Sequence, residues 1–162
     1  MHSLIVLRSL ALLLLANGTP VAAKKILGRR LAQPLDAGVK LPDGRPLLGP
    51  SKTVRGVVLS LLVTAAGAPL LGVAPSLGAL FAGAAMAGDL LSSFAKRRLD
   101  FRPSSRALGL DQVPESLLPL LACRSALGLT DVDVALAVSV FFLGEIALSR
   151  LLYWVHLRDE PY

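Results

Sequence analysis

Residues 88–101 read GDLLSSFAKRRLDF, with Asp89 near the end of a long apolar run and Lys96, Arg97 and Arg98 about two helical turns later. On a helix of about 3.6 residues per turn, Ser92, Ser93 and Lys96 lie at about −60°, +40° and −20° from Asp89, so all four share one face. Arg97 borders that face. Arg98 points the other way, toward lipid headgroups or a neighbouring loop. An ionised carboxylate at membrane depth is costly unless it is paired, hydrated or bound to a cation. One reading is an internal Asp89–Lys96 bridge with the arginines snorkelling to the interface. The separation is about 10 Å along the axis, too far for contact without long side-chain reach. A site that handles both anions and a metal ion explains the pattern better.

Two further stretches carry compatible chemistry. Residues 43–56 read DGRPLLGPSKTVRG. Gly44, Gly49 and Lys52-Thr53 invite comparison with a P-loop, but Pro50 and Ser51 separate the second glycine from the lysine, and no strand precedes them. The stretch still suits phosphate. Ser51 and Thr53 near a helix start offer hydroxyls and free N–H groups, while Lys52 and Arg55 add a mobile and a forked cation. Ordinary anchoring by positive charge accounts for Lys24, Lys25, Arg29 and Arg30 better than for this pair. In LGLDQVPESLLP (108–119), Asp111 is either the N-cap of a helix whose first turn holds Pro114, or a second carboxylate facing the same mouth as Asp89, with Glu115 one turn on. Two carboxylates from different helices suit Mg²⁺, which completes its shell with water and phosphate oxygens. Glu145 is a further candidate partner, for Arg124 or Arg150 among others.

These residues must be positioned by an apolar scaffold. The chain has 162 residues, is 54% hydrophobic and only 17% charged, with a mean hydropathy of +0.64. A soluble domain would carry about 25% charged residues. Apolar stretches at 4–23, 56–74, 77–95, 113–128 and 132–152 predict an all-α polytopic membrane protein of about five transmembrane helices in one domain. GALFAGAAMAG (78–88) is rich in small residues that let helices approach closely, so the third span is expected at the centre of the bundle.

Eight Lys/Arg lie between Lys24 and Arg55, and five more in Lys96, Arg97, Arg98, Arg102 and Arg106. Arg150 and Arg158 follow at the C-terminal end, and the connections near 75 and 129–131 have none. Five spans put all the basic segments on one side, predicting two basic cytoplasmic loops at about 24–55 and 96–112 in a multi-pass cell-membrane protein. LALLLLA (10–16) before Val21-Ala22-Ala23 also looks like a signal-peptide core, but cleavage there would export the basic segment. A lone Cys123 excludes an internal disulfide, and His2 and His156 near the chain ends leave Cys/His chemistry without support. No feature points to nucleic acid.

Taken in order, ANGTP (16–20), PLDAG (34–38), DGRPLLGPSKTVRG (43–56), GDLLSSFAKRRL (88–99) and LDQ (110–112) resemble the CDP-archaeol synthase family, relatives of the phosphatidate cytidylyltransferases, over nearly the whole chain. Val54, where an aromatic is usual, and Pro114 depart from the pattern. The resemblance implies an integral membrane enzyme that uses CTP and Mg²⁺ to activate a lipid phosphate, of archaetidic type, phosphatidate or polyprenyl phosphate, releasing diphosphate. It implies catalytic roles for Asp89, Lys96 and Asp111, with metal binding by Asp89, Asp111 and Glu115. Contacts to CTP and the lipid phosphate are expected from Asn17, Lys52, Thr53, Arg55, Ser92, Ser93, Arg97 and Arg98. The active site would face the cytoplasm. A lipid phosphatase or a non-catalytic membrane subunit are the alternatives; a CDP-alcohol phosphotransferase would need a run of spaced aspartates that is absent here.

Overall fold

A computed structural model describes residues 3–101 and 107–154, with side chains described as far as 148. Arg102, Arg106 and Arg158, the side chain of Arg150, and both histidines lie outside the described residues. The helices are α1 (Ser3–Leu27), α2 (Val54–Gly67), α3 (Pro75–Arg98), α4 (Gln112–Ala122), α5 (Arg124–Leu127) and α6 (Asp131–Trp154), with a 3₁₀ turn over Ala68–Leu71. The all-α expectation holds. Among the described residues the only strand-like pairings are isolated bridges, Pro34 with Thr53 and Lys40 with Pro46.

Among the described residues, three helices are long and apolar enough to cross a membrane: Ser3–Leu27, Val54–Leu71 and Pro75–Arg98, of mean hydropathy 1.8, 1.8 and 1.4. Local chemistry sets their ends. Thr53, in extended conformation, caps α2 by accepting from the Gly56 amide. Pro69 ends regular α-helix after Gly67, and Gly72 closes the 3₁₀ turn in the left-handed conformation at φ 68°. Pro75 then starts α3, where its fixed φ suits a first turn. The stretch 113–128, expected as one short span, is divided: α4 ends at Ala122, Cys123 leaves helical geometry, and α5 supplies one more turn before Gly128. Pro119, inside α4, lacks the amide that would continue the ladder. At the start of α6, Asp133 is fully buried and accepts from the amide and hydroxyl of Thr130, while Thr130 Oγ1 accepts from the Asp133 amide. This is a reciprocal cap.

α3 packs against α1, α2 and α4, the central place expected from its small residues. A Cβ at Gly78 would overlap Ala68 and the Thr64 carbonyl of α2; one at Gly88 would overlap the backbone of Pro114 and Glu115 of α4. The two glycines let neighbouring backbones approach α3 from two sides. Leu12, Leu13, Phe81, Leu120, Ala137 and Phe141 fill the core. Leu7, Leu14, Leu62, Leu80, Leu91 and Leu143 are exposed, as expected of side chains that face lipid. The signal-like stretch is part of this packing, since Leu12, Leu13, Ala16 and Ala23 of α1 are buried.

The connection over 28–53 is ordered by its own bonds. Leu47 donates to Val39 and Leu41 to Arg45, which makes a short hairpin; Leu35 donates to Lys52 and Val54 to Gln33, which closes its base on the start of α2. The hairpin tip docks on the end of α3. Arg45 Nη1 donates to the Arg98 carbonyl at 2.6 Å and Arg45 Nη2 lies 3.4 Å from Asp100, while Arg98 pairs with Asp43 and donates to the Pro46 carbonyl at 2.7 Å. The two basic segments therefore meet.

Candidate active site

Where the hairpin, α3 and the start of α4 converge, two buried or half-buried ion pairs stand out. Lys52 Nζ lies 2.5 and 2.6 Å from the two carboxylate oxygens of Asp89. Lys96 Nζ lies 2.6 Å from Asp111, and Lys96 is 7% exposed. The internal Asp89–Lys96 bridge is not formed: each residue takes its partner from a different segment. Asp111 does not cap α4. Its side chain accepts from the Ala107 amide at 3.1 Å and pairs with Lys96, while its own backbone is already in the helical region.

The close approach at Gly88 lays α4 directly on α3 beside Asp89. Glu115, buried in α4, is within electrostatic reach of Asp89, Lys52, Asp111 and Glu145. Glu145 is thus near the acidic side of the cluster. Arg124, one of its expected partners, instead pairs with Asp131 at 2.6 Å and donates to the Leu129 carbonyl. Arg97 is 4% exposed, near the charge of Asp111 and beneath the hairpin, where a Cβ on Gly49 would come within 3.9 Å of its Cδ. Ser92 and Ser93 are buried on the same side of α3, and Ser92 Oγ donates to the Gly88 carbonyl at 2.9 Å.

Other expected residues lie elsewhere or do other work. Arg55 is buried and donates to the carbonyls of Gly28 and Arg30, tying α2 to the end of α1. Thr53 is a helix cap. Arg98 faces the neighbouring loop, one of the two options its angle allowed, with its guanidinium 5.4 Å from the Phe94 ring centroid. The Arg45 amide, and after it Arg98, hold the Asp43 carboxyl below the ordinary carboxylate range. Asn17 keeps both polar side-chain atoms buried without a partner among the described residues. It sits next to Ala16, whose carbonyl accepts from Ser60 Oγ at 2.7 Å.

Sequence reasoning assigned no role to Asp36. It is buried, and its carboxylate accepts from the amides of Gly38, Leu48 and Gly49 at 2.9–3.0 Å. Burial alone would raise its pKa; the Gly49, Leu48 and Gly38 bonds overcome this and lower it. Its presence in PLDAG, two residues before Gly38, was the one available signal. Among the described residues no three His, Cys, Asp or Glu side chains group as a ready-made metal site.

Long apolar helices with two lysine–aspartate pairs at one end define a membrane-type protein with a charged site at the end of its bundle. No family model matches the chain. It is 39% identical to the CDP-archaeol synthase of Aeropyrum pernix over 92% of this chain and 86% of that one. It is 40% identical to the CDP-archaeol synthase of Pyrobaculum calidifontis over 91% of this chain and 90% of that one. A solved structure, described as an intramembrane enzyme for archaeal membrane lipids biosynthesis, superposes with a TM-score of 0.68 at 32% identity, covering 85% of this chain and 90% of the other. The chain belongs to the CDP-archaeol synthase family.

Proposed function

We propose that this protein transfers the cytidylyl group of CTP to a membrane lipid phosphate, forming a CDP-activated lipid and diphosphate. Family membership supports the reaction. The observation that carries it to particular residues is the pair of lysine–aspartate contacts, Lys52 with Asp89 and Lys96 with Asp111, with Arg97 beside them. The lipid phosphate is already an anionic nucleophile, so the reaction needs no dedicated base. The site has to bring two polyanions into line and neutralise charge on the departing diphosphate. Lys52, Lys96 and Arg97 would bind phosphate oxygens, with Ser92 and Ser93 orienting them and Asn17 contacting a substrate from α1. Thr53 and Arg55 would act less directly, by fixing the start of α2.

Asp89 and Asp111 present hard oxygen donors, each engaged by a lysine ammonium at 2.5–2.6 Å that a metal ion would displace, freeing the lysine for phosphate. That donor set fits Mg²⁺, which takes one or two carboxylates and leaves its other positions to water and phosphate. Asp89 and Asp111 would hold it, with Glu115 beside them. Bound there, Mg²⁺ would polarise the α-phosphorus and neutralise phosphate charge.

The basic segments around 24–55 and 96–112 favour a cytoplasmic site on a multi-pass protein, with α4 and α5 together making the short fourth of five spans. The relatives are CDP-archaeol synthases, which favours an archaeal-type ether lipid phosphate over phosphatidate or a polyprenyl phosphate. The test is purified protein with labelled CTP, Mg²⁺ and a panel of these lipid phosphates. Equimolar CDP-lipid and diphosphate are expected, with the ether lipid preferred. Inorganic phosphate release without CTP would instead mark a lipid phosphatase.

A further inference from the structure

Lys52 stands in a loop, one residue before the cap of α2, and its Nζ reaches Asp89 at 2.5 Å. The atoms that hold it in place converge on Asp36. One carboxylate oxygen of Asp36 accepts from both the Leu48 and Gly49 amides, at 2.9 and 3.0 Å, and the other from the Gly38 amide at 3.0 Å. The neighbouring Leu35 amide donates to the Lys52 carbonyl at 2.8 Å, and the Lys52 amide donates to the Gly49 carbonyl at 3.3 Å. Residues 35 and 36 thus grip both ends of the 48–52 segment. Gly49 is held at φ 96°, a conformation that L side chains rarely adopt, directly over Arg97.

A buried carboxylate that satisfies three backbone amides is a strong constraint, because each charge-assisted bond is stronger than a neutral one and leaving the amides unpaired is costly. We propose that Asp36 is a positioning residue for nucleotidyl transfer: it shapes the 48–52 loop so that the Lys52 ammonium is delivered to Asp89 and Gly49 is seated over Arg97. It touches no substrate and acts through Lys52. The inference rests on the assignment of Lys52 to the CTP-binding cluster.

Asp36→Asn keeps the size of the side chain but loses the oxygen that serves two amides or the one that serves Gly38. The experiment is a cycle of wild type, Asp36→Asn, Lys52→Ala and the double variant, with kcat and KM for CTP and for the lipid phosphate, and thermal unfolding of each. Misplacing a binding group lowers rate by about ten- to a hundredfold. Asp36→Asn is expected to cost that much in kcat/KM for CTP, mainly through KM, with little change in KM for the lipid. In the Lys52→Ala background it is expected to cost about twofold or less, because coupled residues are not additive. Equal losses in both backgrounds, or losses that track unfolding, would overturn the proposal.

A second readout needs no turnover: the rate at which an amine-acylating reagent modifies Lys52, followed by mass spectrometry against the exposed Lys24 and Lys25. Asp36→Asn should release Lys52 and raise its rate severalfold; an unchanged rate would overturn the proposal even if the wild-type protein made no CDP-lipid. Should Asp36→Asn fail to fold, Gly49→Ala, which strains the same loop from its other end, takes its place in both measurements with the same expected and overturning results.

Discussion

At Asp89 the carboxylate meets an ammonium from a loop rather than from its own helix, and at Asp111 the arrangement is reversed, with the lysine on the long helix. The side chains of Lys52 and Asp89 stay 20% and 23% exposed, so water can solvate the charge left when its partner is neutralised. Asp89→Asn is expected to reduce kcat/KM by about a hundredfold or more, with the protein still folded and inserted, since the amide keeps the shape of the side chain. The check is CDP-lipid formation beside the thermal unfolding midpoint. Activity within a few-fold of wild type would remove Asp89 from the site. Arg98 makes the opposite case. Its contacts are with the hairpin and Phe94, so Arg98→Ala should change KM for CTP far less than Lys52→Ala does.

At the level of elements, the site depends on how closely α4 lies on α3. Gly88 is adjacent to Asp89, and any Cβ there would overlap the backbone of Pro114 and Glu115. Backbone does not yield as a flexible side chain does, so α4 would have to shift. Gly88→Ala is expected to destabilise by about 1–3 kcal/mol and to lower activity beyond what the stability loss explains, because the shift separates Asp89 from Glu115 and Asp111. Gly83, in the same helix, has open space around its Cβ position, so Gly83→Ala serves as the control and should be neutral or slightly stabilising. Unfolding midpoints and kcat of the two variants, measured side by side, decide it. Equal behaviour would show that close approach at Gly88 is not what positions the site.

For the whole molecule, two tests concern the hairpin and the bilayer. Asp36 has a pKa lowered from 3.8, so its hydrogen bonds stabilise the folded protein above that value and are lost as pH falls through the lowered folded pKa. Wild type should unfold at a higher temperature than Asp36→Asn at pH 6, and the difference should shrink once pH drops below 3.8. A gap that stays constant on acidification would mean that the charge on Asp36 is irrelevant. Topology is testable with cysteine labelling, since the native Cys123 is buried. With five spans, a cysteine at position 30 should react only from the cytoplasmic face and one at position 130 only from the opposite face. Labelling of both from one side would reduce the count of spans.

The helical class, the three long apolar helices α1, α2 and α3, and the common face of Asp89, Ser92, Ser93 and Lys96 were legible in the chain itself, because they follow from local composition and from a period of 3.6 residues. So was the central place of α3, from its run of small residues. Partner choice was not legible. Lys52 with Asp89, Lys96 with Asp111 and Arg98 with Asp43 are contacts across segments, and spacing along one helix says nothing about which loop folds over it. The division of 113–128 into α4 and α5 was hidden for a related reason: Leu117 to Cys123 is an apolar run, while the break reflects local backbone bonding around Pro119. Arg55 shows the same limit, since its composition suits a phosphate and its position gives it carbonyls instead. Asp36 lay in plain view, but its three amides come from residues on both sides of a hairpin, and only the folded chain brings them to one carboxylate.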